Sequence, residues 1–148
     1  MLKIELTQGR FAIIDKEDID IVSKYKWFFT KNGYAMNKSG KKSIYMHRLI
    51  LGVQNGLVTD HINGNKLDNR RCNLRQCTQA QNLMNRCGVK GRSLPKGVRK
   101  AKNRYQARIG INGKSVYLGS YTVIADAVAA YNKASKQLHN NFGKLSND

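Results

Sequence analysis

The apolar residues of this chain come in short stretches broken by polar turns, which confines it to short strands and helices in small sheets. No stretch approaches the ~18 apolar residues that a membrane span requires. The start, MLKIELTQGR, has no apolar core of the kind a secretion signal carries, so a cytoplasmic, nucleoid-associated location is expected. One segment, CGVKGRSLPKG, concentrates three glycines and the only proline, Pro95. Such composition favours a turn-rich connection and puts a boundary near residue 90, giving modules 1–90 and 91–148. Each module carries a net charge of +9, and the stretch 91–125 contains no acidic residue. The whole chain, at +18 with a pI near 10.2, calls for a polyanionic partner, double-stranded DNA before a membrane. Cys72, Cys77 and Cys87 form an odd set without a CxxC pair, which favours reduced thiols over a disulfide framework or a zinc site.

In the first module Phe11–Ile14, Tyr34–Met36 and Ser43–Met46 read as strands, with turns at Asn32-Gly33 and Ser39-Gly40 and a short helix over Glu17–Lys24. The stretch VTDHINGNKLDNRRCNLRQCTQAQNLMNR then reads as strand, loop, strand, helix. Val58–His61 is its first strand and Asn73–Cys77 its second. Thr78 with Gln81 forms a capping box that opens the helix. In the second module Lys96–Lys100, Arg104–Ile111 and Ser115–Leu118 read as three strands joined at Lys102-Asn103 and Asn112-Gly113. Thr122 is expected to cap a helix over Ile124–Leu138, with Ala127, Ala130, Tyr131, Ala134 and Leu138 as its inward stripe.

Asp60 and His61 stand side by side on a strand before a polar loop, and Asn82 lies early in the next helix. Asp and Asn oxygens suit a hard divalent cation, and a neutral imidazole can take a proton from water near neutral pH. Spacing alone leaves two readings open, a hydrogen-bonded turn and a site for metal-assisted phosphodiester hydrolysis. The run TDHINGNKLDNRRCNLRQCTQAQN resembles the signature of HNH homing-type endonucleases over roughly residues 1–86. GRFAIIDKEDIDIVSKYKWFF and MHRLILG look like the N-terminal extension of that group. The resemblance implies a ββα-metal core within an α+β fold. It makes His61 the general base, and Asp60 and Asn82 the ligands of one Mg²⁺ or Mn²⁺ ion. Asn73 becomes the member that fixes loop and strand, with His61 the second half of the catalytic set. Asn82 replaces the last histidine of the family name and keeps an oxygen donor. Arg70, Arg71, Arg75 and Arg86 surround the motif and are expected on backbone phosphates. His47 reads as structural, Arg48 as the better phosphate contact, and His139 as structural.

On Arg104–Ile111 alternate side chains put Arg104, Gln106 and Arg108 on one face and Tyr105, Ala107 and Ile109 on the other. The module resembles the ethylene-response-factor (APETALA-type, integrase-like) DNA-binding domain over about residues 95–142. Gly97-Val98-Arg99, Tyr105-Gln106-Ala107-Arg108-Ile109, Tyr117-Leu118-Gly119, Ala130-Tyr131-Asn132 and Asn141-Phe142 carry that resemblance. It implies a small three-stranded antiparallel sheet packed on one helix and entering the major groove. Arg99, Arg108 and Tyr117 would be DNA contacts, with Arg104 and Lys114 on phosphates. Tyr105 and Tyr117 stand where that family often has Trp, so its target sequence does not transfer. The combined expectation is a metal-dependent DNA endonuclease of a phage or mobile element, monomer or dimer, with no protein partner inferred. The alternative is a DNA-binding regulator that does not cut.

Overall fold

Alternation of Leu2 and Ile4 with Lys3 and Glu5 makes the first segment a half-buried strand, β1 (Leu2–Glu5), ahead of the strands that the turn residues mark out. It pairs antiparallel with β2 (Phe11–Ile14), Leu2 opposite Ile14. The structure is a computed structural model that describes residues 1–40, 42–85, 93–139, 142–143 and 145–146. Arg86, Cys87, Asn140, Asn141 and the glycine-rich stretch through residue 92 lie outside the described residues. The chain divides into two compact units, Met1–Gln79 and Ala80–Asp148. It is a mixed α+β fold of several small sheets.

After β2 the expected helix over Glu17–Lys24 is shorter: a 3-10 turn at Lys16–Asp18 runs into α1 (Ile19–Val22). A second sheet follows in the order β3 (Phe28–Phe29), β4 (Ala35–Ser39), β5 (Lys42–Tyr45). Met46, expected to end the last of these strands, instead opens α2 (Met46–Leu51). The spacing explains the switch. Met46, His47 and Ile50 are all buried, which one helical face achieves and strand alternation does not. Gly52 closes α2 in the left-handed region, φ 61°, and donates its N–H to the Arg48 carbonyl. The strand β6 (Val58–His61) then pairs antiparallel with β7 (Leu74–Cys77), so that Asp60 faces Arg75 and His61 faces Leu74. Asn73 falls just ahead of β7, in a 3-10 turn over Arg71–Asn73. The strand–strand–helix order of the ββα core is completed by α3 (Gln79–Met84), directly after Thr78.

One apolar core serves the first unit. Leu6, Ala12, Ile14, Val22, Trp27, Ala35, Met46, Ile50 and Leu74 are buried together in it. Trp27 adds a hydrogen bond from its indole Nε1 to the Val22 carbonyl, 2.9 Å. The β1–β2 hairpin is also clipped to the loop after β6. Ile13 donates its N–H to Leu67 O and accepts from the Asn69 N–H, both at 2.8 Å, forming a parallel bridge with Asp68.

In the second unit β8 (Val98–Ala101), β9 (Arg104–Ile111) and β10 (Lys114–Tyr121) form an antiparallel sheet in the order β10-β9-β8. Asn112 and Gly113 both take positive φ, 48° and 76°, the conformation of a two-residue type I′ hairpin. β8 starts later than the sequence suggests because Pro95–Val98 forms a turn, with the Val98 N–H on the Pro95 carbonyl. Gly97, at φ 76°, lies so close to the Tyr131 ring that a Cβ there would overlap it. β10 carries a bulge between Tyr117 and Gly119. The helix α4 (Ile124–Leu138) has the bounds its spacing predicts. Its N-cap is Val123 without a side-chain cap, not Thr122. Its inward stripe is Ala127, Val128, Tyr131, Ala134 and Ser135, continued by His139, whose Nε2 donates to the Gly110 carbonyl at 2.8 Å. Leu138, about 100° round the helix from His139, is exposed instead of buried.

Candidate active site

The antiparallel pairing of β6 with β7 carries Asp60 and His61 into the unit's interior, at 4% and 5% exposure. A buried carboxylate needs a charged or hydrogen-bonded partner. Arg75, opposite on β7, supplies one: its Nε and Nη2 both donate to Asp60 Oδ2, at 2.8 and 2.6 Å. The oxygen chemistry of Asp60 fits a hard divalent ion, with one carboxylate oxygen already oriented by the guanidinium.

His61 is held by a residue that the sequence does not single out. Asn69 is fully buried, and its Nδ2 donates to the Leu67 carbonyl at 3.3 Å and to Met46 Sδ at 3.4 Å. Its Oδ1 is thereby turned to His61 Nε2, 3.2 Å away. Burial lowers the His61 pKa below the usual imidazole value, against opposing effects of the Asn69 hydrogen bond and of Asp60. The ring is therefore neutral at neutral pH, the state in which it accepts a proton.

Asn73 bonds in two directions. Its Nδ2 donates to the Asp68 carbonyl at 2.8 Å and its Oδ1 accepts the Asn63 N–H at 2.9 Å. The backbone joins in, with Ile62 N–H on Asn73 O. The loop between β6 and β7 is closed further by Asn63 Nδ2 on Asp68 Oδ2 and by the Asn65 N–H on Asn63 Oδ1. Asn73 thus ties Ile62 and Asn63, at the start of the loop, to Asp68 near its end.

An aromatic wall backs His61. His47 meets it edge to face with ring centroids 5.1 Å apart, and Tyr34 lies 5.0 Å from His47 and 6.0 Å from His61. Tyr45 packs on both Tyr34 and His47. Lys66 lies over the Tyr34 ring at 4.6 Å, its Nζ donating to the Asn32 carbonyl. Burial, then His61 and Arg48, push the His47 pKa down to about 3. Its Nδ1 is buried with no hydrogen-bond partner among the described residues. The unfolded chain protonates this histidine near pH 6.5 and the folded chain only near 3, so acid favours unfolding between those limits. At pH 5 His47 alone should lower stability by about 2 kcal/mol relative to pH 8. Urea melts of wild type and His47→Phe across that range check this: the variant should show a clearly shallower acid loss, the remainder being His61. Parallel curves would remove His47 as the cause.

The arginines expected on phosphates are held by carboxylates within the first unit. Arg70 makes a two-point pair with Asp68, its Nε and Nη2 each 2.7 Å from a carboxylate oxygen. Arg71 reaches Asp18 with Nη2 at 2.6 Å while its N–H donates to Asp15. Both guanidinia keep a solvent-facing side. Asn82 lies on α3, which follows the Asp60–His61 strand pair in the chain. Cys72 is exposed, and Cys77 is buried with its thiol on the Val58 carbonyl.

In the second unit Ala107 and Ile109 point to the helix, leaving the basic residues outward as alternation requires. Arg99 Nε donates to Gln106 Oε1 at 2.9 Å on the adjacent strand. Arg104 donates to the Ser120 carbonyl at 2.8 Å, and Arg108 lies over the half-exposed Tyr117 ring, 5.7 Å from its centroid. Lys114 opens β10, exposed. Three guanidinia and one phenol thereby share one sheet face.

The sequence pattern of a family of HNH endonucleases matches residues 45–84, from β5 through α3. The chain is also 33% identical over 141 residues to an HNH endonuclease of Acanthamoeba polyphaga mimivirus, across 91% of this chain and 74% of the viral protein.

Proposed function

The chain belongs to the HNH endonuclease family, and from that premise we propose a homing-type enzyme that hydrolyses DNA phosphodiesters with one divalent metal ion and is directed to its sites by its second unit. The observation that carries this reading is the buried Asp60–His61 pair with a neutral, hydrogen-bonded imidazole beside a carboxylate. His61 takes a proton from the water whose oxygen attacks phosphorus, and the P–O bond to the leaving sugar oxygen breaks. The motif assigns Asp60 and Asn82 to hold Mg²⁺ or Mn²⁺, which would supply charge neutralisation at the leaving oxygen. Asn73 keeps the loop after β6 in place, so that His61 is held in one orientation. Arg70, Arg71 and Arg75 combine anchoring of the site with positive potential, from which the first two can also reach backbone phosphates.

Site choice is assigned to the outer face of the β8–β10 sheet, with Arg99, Arg108 and Tyr117 at the bases and Arg104 and Lys114 on the backbone. The modules are then 1–90 for cutting and 91–148 for DNA binding. Tethering them raises the local concentration of DNA at a small catalytic core without new contacts there. A phage or mobile-element setting agrees with the viral relative. Among the described residues no helix is long and apolar enough to cross a membrane.

Supercoiled plasmid incubated with the protein, with Mg²⁺ and separately with EDTA, tests the reading, using a DNA library to ensure that a target is present. Conversion with the metal alone supports it, and nicked or linear product reports whether one strand or both are cut. Duplex binding without conversion across the library leaves the non-cleaving regulator. Arg108→Ala should weaken duplex binding by about 1–3 kcal/mol and relax sequence preference at one position. The same substitution with an unchanged preference across the library would make Arg108 a backbone contact only.

A further inference from the structure

We propose that Asn69 is the positioning residue of the catalytic histidine: its Oδ1 holds the His61 proton on Nε2 and thereby presents Nδ1 as the proton-accepting atom. The proposal rests on the reading of His61 as general base, and it adds which nitrogen works and what fixes it.

The direction of the hydrogen bond follows from the other end of the amide. Asn69 Nδ2 faces two acceptors, Leu67 O at 3.3 Å and Met46 Sδ at 3.4 Å. Turning the amide over would put an oxygen against a carbonyl, so Oδ1 is the atom facing His61 Nε2 at 3.2 Å. An amide oxygen has no proton to give, and Nε2 must therefore be the donor. The neutral ring then carries its lone pair on Nδ1.

The amide is itself immobilised. Asn69 has no exposed surface, and its backbone N–H donates to Ile13 O at 2.8 Å. Ile13 returns a bond to Leu67 O, two residues before Asn69. The N-terminal β1–β2 hairpin thus sets the height of the very residue that orients the catalytic ring. The ring's other faces are set by His47 and Tyr34, which leaves rotation about the Cβ–Cγ bond restrained from several sides.

The test uses the full chain labelled with ¹⁵N and free of metal, at a pH where His61 is neutral, with His61→Gln assigning its signals among the three histidines. Long-range proton–nitrogen correlation reads which ring nitrogen is protonated, and hydrogen exchange reads how firmly. Wild type should show a slowly exchanging Nε2–H on His61. Asn69→Leu should exchange it much faster and lower kcat for plasmid cleavage by roughly 10–100-fold, the order that misplacement of a reacting group costs, with DNA affinity unchanged. Asn69→Asp keeps the acceptor and should restore the slow exchange and part of the rate. A proton on Nδ1 in wild type, or an Asn69→Leu chain with wild-type exchange and rate, overturns the proposal. Should Asn69→Leu fail to fold by circular dichroism, Asn69→Asp decides: fast exchange there overturns it and slow exchange upholds it. If His61→Gln cuts like wild type while the Nε2–H lock is present, the general-base reading fails and the lock stands as structure.

Discussion

Replacing His61 with alanine is expected to lower plasmid cleavage by roughly 100- to 10,000-fold, the range that positioned general bases supply. The loss should fall on kcat, because the imidazole is not among the groups assigned to DNA binding. Gel shift of duplex DNA should therefore be unchanged. Truncating a ring packed on His47 and hydrogen-bonded to Asn69 also costs stability. A thermal melt fixes the temperature at which the variant is fully folded, and cleavage is compared there. Cleavage within tenfold of wild type would sink the assignment of His61 as base.

The second large effect concerns the ion pair behind the site. Arg75→Ala removes the fork that donates twice to Oδ2 of Asp60, a carboxylate of 4% exposure. Breaking a buried pair from one side costs about 3–5 kcal/mol, far more than deleting a surface pair. A urea melt at pH 7 should show a loss of that order. Arg75→Lys keeps the charge but not the planar two-point geometry and should lose less. Adding Mn²⁺ should recover part of the loss in Arg75→Ala, because a cation at Asp60 replaces the missing charge and binds only the folded chain. A stability change below about 1 kcal/mol in the alanine variant would show the pair to be dispensable.

The sequence made regular elements and paired motif residues legible, and left side-chain pairings across the fold hidden. β6, β9 and α4 have the bounds their periodicity implies, since each combines a clear period with turn residues on both sides. α2 is not legible in MHRLIL because its four apolar residues fit a strand as well as a helix; the buried spacing of Met46, His47 and Ile50 decides it. The arginines near the motif read as solvated or phosphate-bound because charge alone does not reveal a partner. Asp18, the partner of Arg71, lies 53 residues away, and only the folded hairpin brings it there. Asn69 was hidden for a similar reason. Among Asn63, Asn65, Asn69 and Asn73, all in one polar loop, nothing local distinguishes the one amide that faces the histidine.

The shared core of the first unit has a bearing on how such a chain can be inherited. The segment 45–84 that carries the family pattern contributes Met46, Ile50 and Leu74 to a core whose other six buried members, Leu6 through Ala35, all precede it. A gene fragment encoding the motif alone would deliver a third of that buried interior, and the loop after β6 without the hairpin that clips it. The smallest piece that can be exchanged between proteins with this interior intact is therefore the whole of Met1–Gln79.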